Sequence, residues 1–178
     1  EAVGERLSKA RIGRIYCSDM RRAHDTAKAI GKHHGLEPMV KPGLKEIDLW
    51  QKAPQDKGLL DIYSREQLGD IYREVTRTRR HDAYPFCEDV DFFRSRVFTA
   101  LDEAIAESHG MRIVVACHGG VINAILSRVL GSNFDHLVPV HHTSISVMRA
   151  ADTRRVILTV NDYSHVMAFQ TSRGDVNA

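Results

Sequence analysis

The sequence predicts an α/β protein, a three-layer α/β/α sandwich with a mostly parallel sheet. Three observations carry that expectation: short apolar strand candidates alternate with amphipathic helices, one strand is almost wholly apolar, and two strands late in the chain are spaced as a hairpin. The helix over residues 93–105 places Phe93, Val97, Leu101 and Ile105 on one stripe, which needs an apolar partner such as a sheet face.

Residues 1–7 read as a helix already under way, with Val3 and Leu7 on one face and no capping residue before them. A strand and the start of this helix are therefore expected upstream of Glu1. Arg14-Ile15-Tyr16-Cys17 is a strand candidate, and Ser18 is placed to cap a helix from about Met20 to His34, stopped by Gly35. Met39-Val40, flanked by Pro38 and Pro42, is a second short strand. Residues 51–82 are polar and weakly patterned, read as helical pieces and loops, with Arg77 to Arg80 a solvated face. Pro85 to Asp89 is a loop leading into the long helix. Arg112 to Cys117 has the pattern of a central strand covered on both faces. Gly119-Gly120 makes a tight turn into a helix burying Val121, Ile122, Ile125, Leu126 and Val129, ending near Gly131. Strands at 144–149 and 156–160 flank a turn at 151–154, and the polar tail 172–178 is expected to be disordered.

With 178 residues the chain suits one domain, 1–178, large enough for a stable core. A formal net charge of +2 gives no sign of nucleic-acid or membrane binding. The longest apolar runs are far too short to span a bilayer. Cys17, Cys87 and Cys117 are odd in number and none form C-x-x-C, so they are no disulfide framework. A reducing cytoplasm is the expected compartment.

Three segments carry chemistry. Val114 to Gly120 places His118 at the carboxyl end of an apolar strand, the edge where open α/β sheets bind ligands. The glycines after it let an anion approach the backbone at a helix N-terminus. Cys17 to Ala27 repeats the strand–turn–helix pattern and puts Arg22 in the first turn, where its guanidinium can fork onto a phosphate. Glu88, ahead of the long helix, is a candidate general acid, although acidic residues favour helix N-termini in any case. No cysteine has the C-x5-R spacing of a cysteine phosphatase, and Asp89-Val90-Asp91 opens a helix instead of following a strand. The adjacent pairs His33-His34 and His141-His142 are poorly disposed for one metal, and no H-E-x-x-H occurs. Cys117 and His118 are neighbours on a strand and point apart, so Cys117 reads as a buried, inert thiol.

Taken in order, these segments resemble the histidine phosphatase superfamily, the phosphoglycerate-mutase-like proteins. Ser18 to Ala27 resembles its S-D-L-x-R-A-x-x-T-A segment, Leu44-Lys45-Glu46 its L-x-E, Glu88 the glutamate of its G-E-S, and His118-Gly119-Gly120 its second histidine motif. Thr143 to Val147 resembles its late strand and Asn161 to Val166 its terminal N-D-x-x-H-L. The resemblance covers residues 1 to about 168. The R-H-G segment that carries the family's nucleophile is not found. Arg80-His81-Asp82 falls after the Ser18 segment and is given no such role. G-E-S reads Cys87-Glu88-Asp89, and G-x-W-E-G is replaced by Leu49 to Ala53, so substrate preference does not carry over.

The resemblance implies a phosphomonoester hydrolase working through a phosphohistidine, with its nucleophile upstream of Glu1. Arg22, His118 and Gly119 would bind the phosphate, with His118 protonated, and Glu88 would protonate the leaving alcohol. It implies neither metal nor other cofactor and insensitivity to chelators, and residues 1–178 alone are expected to be nearly inactive. The expected partner is a small-molecule phosphomonoester, with no nucleic acid and no membrane; a homodimer is left open. A phosphoglycerate mutase and a catalytically inactive, phosphate-binding pseudophosphatase are the alternatives.

Overall fold

A computed structural model describes residues 1–151 and 154–171, with backbone alone for 168–171. The turn expected at 151–154 and the tail 172–178 therefore fall wholly or partly outside the described residues. The elements are α1 (Ala2–Leu7), β1 (Arg14–Cys17), α2 (Arg21–Gly31), β2 (Met39–Val40), α3 (Leu59–Ile62), α4 (Arg65–Thr78), α5 (Val90–Glu107), β3 (Ile113–Ala116), α6 (Gly119–Leu130), β4 (Ile145–Ala151), β5 (Arg154–Asp162) and α7 (Ser164–Thr171). Short 3-10 turns occupy Pro42–Leu44 and His81–Ala83.

A parallel sheet of order β2-β1-β3 is flanked by helices on both faces, and β4 and β5 form a separate antiparallel pair. The two faces follow from alternation along the strands. Tyr16 of β1, with Ile113 and Val115 of β3, packs on the α4, α5 and α6 side against Val75, Phe93, Val97 and Val121. Ile15, Cys17, Val114 and Ala116 pack on the opposite side against Val3, Ala27 and Ile30 of α1 and α2. Tyr16 and Phe93 are among the most deeply buried side chains, each contributing roughly 1.5–3 kcal/mol by leaving water. The Tyr16 hydroxyl keeps partners in the interior, 2.9 Å from Ser108 Oγ and 3.0 Å from Glu107 Oε2.

Two expectations need correcting. β3 has the sequence of a central strand, but β1 holds the centre and β3 pairs with it along one side. Ile113, Val114 and Val115 are accordingly only half-buried. The buried face of α6 is also more polar than expected: Asn123 and Ser127 lie inside with Val121, Ala124 and Leu126, while Ile122, Ile125 and Val129 are only partly covered. In the stretch 65–78 a capping box starts a full helix. Ser64 Oγ accepts from the Gln67 N–H, and Gln67 Oε1 accepts from the Ser64 N–H.

Candidate functional site

The site begins with strand register. β1 and β3 run parallel with Cys17 opposite Ala116, and the Ser18 N–H donates to the Ala116 carbonyl at 3.2 Å. Both strands therefore end at one level, and Ser18 and His118 emerge at the same carboxyl edge. Their side chains meet: Ser18 Oγ and His118 Nε2 are hydrogen-bonded at 2.7 Å, both residues being buried. Ser18 does not cap α2 as its sequence position suggests. Met20 is the N-cap residue, and the Ser18 hydroxyl faces the histidine 100 positions ahead.

Arg22 is the second residue of α2 and is exposed. It lines an open concavity with Met20, Arg21 and Asp25. It is near enough to His118 for its charge to be felt there. Burial first, and then the Arg22 guanidinium, push the His118 imidazole down to about 4, with Asp19 opposing. Burial and the Arg22 charge thus favour the neutral imidazole at His118, and an anion bound beside it would favour the charged form. Gly119 opens α6. A Cβ there would meet Val140 Cβ at an ordinary 3.7 Å, so packing does not demand a glycine at this position.

Asn123, one turn into α6, fastens the neighbouring loop to the turn at Gly119. Its Nδ2 donates to the carbonyls of Gly119 (3.1 Å) and Val138 (3.0 Å), and its Oδ1 accepts from the N–H groups of Leu137 (2.8 Å) and Val138 (3.0 Å). All four bonds are made at a residue 4% exposed, which fixes the wall beside Gly119.

The two carboxylates of interest are placed differently. Glu46 reaches the start of α6: its Oε2 accepts from the Gly120 N–H at 3.2 Å, and its Oε1 accepts from the Ile47 N–H at 3.1 Å. Glu88 is buried, and its Oε1 accepts from Arg96 Nη2 at 2.7 Å. Arg22 and His118 are thus brought together, with Glu46 at the same helix start, while the Glu88 carboxylate is occupied by an arginine. The local pattern Leu44-Lys45-Glu46 is recognisable in the sequence but carries no role for Glu46, and Arg96 and Asn123 stand in no motif. Nearby, the unusual segment 49–53 is built into an aromatic cluster, with the Trp50 ring edge-on to Tyr84 at 5.6 Å and tilted to Phe86 at 6.4 Å.

Desolvation pushes the Cys87 and Cys117 thiols up to about 12 and also raises Cys17, so none is a ready thiolate. Among the described residues no group of three or more His, Cys, Asp or Glu side chains is placed to hold a metal ion, and no helix is long and apolar enough to cross a membrane.

Residues 1–163 match the histidine phosphatase superfamily (branch 1). The chain belongs to this family. A phosphoglycerate mutase-like protein 4 of Arabidopsis thaliana is 31% identical over 170 residues, spanning 93% of the chain and 72% of that protein. A metal-independent phosphoserine phosphatase of the same plant is 29% identical over 169 residues, spanning 93% of the chain and 68% of the relative. Among solved structures, YhfR of Bacillus stearothermophilus superposes with a TM-score of 0.76 at 21% identity, covering 93% of the chain and 81% of that structure. A mycobacterial glucosyl-3-phosphoglycerate phosphatase complexed with inorganic phosphate superposes with a TM-score of 0.74 at 23% identity, covering 93% and 84%. These likenesses establish the phosphoglycerate-mutase-like fold.

Proposed function

We propose that the protein hydrolyses small phosphomonoesters through a phosphohistidine, the nucleophilic histidine lying in a segment upstream of Glu1. The observation that carries this reading is the gathering of an arginine, a histidine and a carboxylate around one helix N-terminus at the sheet edge. That arrangement suits a phosphoryl group, whose transfer needs positioning and charge stabilisation above all. The half-buried apolar residues of β3 support the upstream strand, which would lie along β3 and deliver its histidine to the same edge.

Arg22 and His118 hold the phosphoryl oxygens. The upstream imidazole attacks phosphorus as the bond to the leaving oxygen breaks. Glu46, and not Glu88, gives that oxygen its proton, because Glu46 is the carboxylate at the helix start. Water then attacks the phosphohistidine, and the Glu46 carboxylate takes the water's proton, which releases phosphate. Recapture of the alcohol in place of water would make the enzyme a mutase. The relative that is a metal-independent phosphoserine phosphatase favours water.

The full-length protein, mixed with a phosphomonoester and quenched, is expected to carry an acid-labile, base-stable phosphate on a histidine upstream of Glu1. Turnover by residues 1–178 alone would overturn the mechanism. Phosphate binding by the full-length protein without a phosphoenzyme would point to a pseudophosphatase.

A further inference from the structure

We propose that Glu88 and Arg96 are positioning residues, a buried ion pair that sets where the Glu46 carboxylate stands. This rests on the reading of Glu46 as the proton donor. Arg96 projects from α5 with its side chain only 16% exposed and its guanidinium 4.8 Å over the Phe93 ring. Its Nη1 donates to the carbonyls of Gly43 (3.0 Å) and Lys45 (2.6 Å), and its Nη2 donates to the Glu46 carbonyl (3.3 Å) and to Glu88 Oε1 (2.7 Å). One planar fork therefore grips three carbonyls of the segment that ends in Glu46, with Glu88 supplying the counter-charge. A lysine, with a single compact ammonium, cannot reproduce that grip.

The segment is held on both sides of Glu46. Before it, Gly43 lies so close to α5 that an added Cβ would stand 2.6 Å from the Arg96 carbonyl and 2.9 Å from Ala100 Cβ. After it, the Glu88 N–H donates to the Asp48 carbonyl at 2.8 Å. Glu88 thus acts twice on this loop, once through its own backbone and once through Arg96. Both contacts bear on the backbone of 43–48, while the Glu46 carboxylate is left to face Gly120. Misplacement of a reacting group by about 1 Å can cost on the order of 10²-fold in rate, so a clamp on this backbone has catalytic consequences without touching substrate.

The test uses the full-length protein with an alkyl phosphate such as glycerol 2-phosphate, and with p-nitrophenyl phosphate, whose leaving group needs little protonation. Glu46→Gln is expected to slow the alkyl ester by about 10²-fold and the nitrophenyl ester by under about 10-fold. Glu88→Gln, which keeps an acceptor for Arg96, and Arg96→Lys should each slow the alkyl ester by roughly 10-fold and the nitrophenyl ester by no more than about 3-fold. In the Glu46→Gln background both should have no further effect, because groups acting as one unit are non-additive. If Glu46→Gln slows both esters equally, the proton-donor reading fails. If Glu46→Gln is selective but Glu88→Gln and Arg96→Lys add their full losses to it, or slow both esters alike, positioning is overturned and the pair is merely structural. Should Glu88→Gln fail to fold, Arg96→Lys decides by the same comparison.

Discussion

Gly120→Ala separates the chemistry of Glu46 from the stability of the fold. A Cβ at Gly120 would lie 2.5 Å from Glu46 Oε1, 3.3 Å from Glu46 Cδ and 3.2 Å from Ile47 Cγ2. The closest of these atoms is the far end of a flexible side chain, so the carboxylate swings away while the backbone stays. Gly120 is the second residue of α6, where alanine in place of glycine gains about 0.5–1 kcal/mol from reduced freedom of the unfolded chain. Against this stands the hydrogen bond from the Gly120 N–H to the carboxylate, worth about 1.5–3 kcal/mol for a charged acceptor, part of which water restores. The net change is within ~2 kcal/mol, which moves the melting temperature by under about 8 °C in a domain of this size. Catalysis responds differently, since displacing a general acid costs on the order of 10²-fold or more. The assay is kcat on glycerol 2-phosphate and on p-nitrophenyl phosphate, beside a thermal melt. The expected result is an intact melt, a large loss on the alkyl ester and a small one on the nitrophenyl ester. Alkyl turnover within threefold of the parent would refute the assignment of Glu46. An equal loss on both esters would locate the damage in the anion-binding turn instead.

Two further outcomes concern pH. His81 is buried beside His136, with ring centroids 4.3 Å apart, and also faces Asp135, Arg94, Asp82 and Phe93. Burial, and then His136, push it down to about 4. The unfolded chain therefore takes up a proton below about pH 6.5 that the folded protein refuses until about pH 4, so stability falls as pH drops through that window, by up to ~3 kcal/mol from this residue. His81→Phe should flatten urea-derived stability between pH 6.5 and 4 relative to the parent, and an unchanged slope would show that His81 does not titrate as argued. At the site, a dianion near His118 in partly screened surroundings is worth several kcal/mol, enough to bring the imidazole from about 4 back towards 7. Sulfate, which does not titrate in this range, should thus bind the full-length protein more tightly as pH falls from 7 to 5, with proton uptake seen by calorimetry in buffers of different ionisation enthalpy. The His118→Asn variant should lose that pH dependence, and its persistence would assign the proton elsewhere.

What the sequence disclosed was what short-range pattern determines. His118 and Arg22 could be placed because each follows its strand by a few residues and begins or enters the next helix; parallel pairing of β1 and β3 then brings them to one edge without further information. The two layers of helices were legible for the same reason, since apolar spacing along α2 and α5 states which face is covered. The capping box at Ser64 and Gln67 was a local signal too, and it would have revealed α4 inside a stretch that hydrophobic pattern alone left vague. Glu46 and Glu88 show where local pattern ends. Both are glutamates in loops next to recognisable motifs, and nothing within a few residues of either says which one reaches the start of α6. The answer depends on Arg96, eight residues from Glu88 but 50 from Glu46, whose guanidinium claims one carboxylate and the backbone beneath the other. Ser18 is similar: its hydroxyl keeps a long local bond from the Met20 N–H at 3.3 Å, but its short bond, 2.7 Å, is with a histidine 100 residues later. β3 carries the opposite lesson. Its apolar run reports the surroundings the strand is suited to, covered on both faces and paired on both sides, and among the described residues the order β2-β1-β3 supplies one of those pairings. The mismatch between an interior-type strand and its half-buried side chains therefore measures how much apolar cover β3 still calls for, and one more parallel strand beside it would supply that cover.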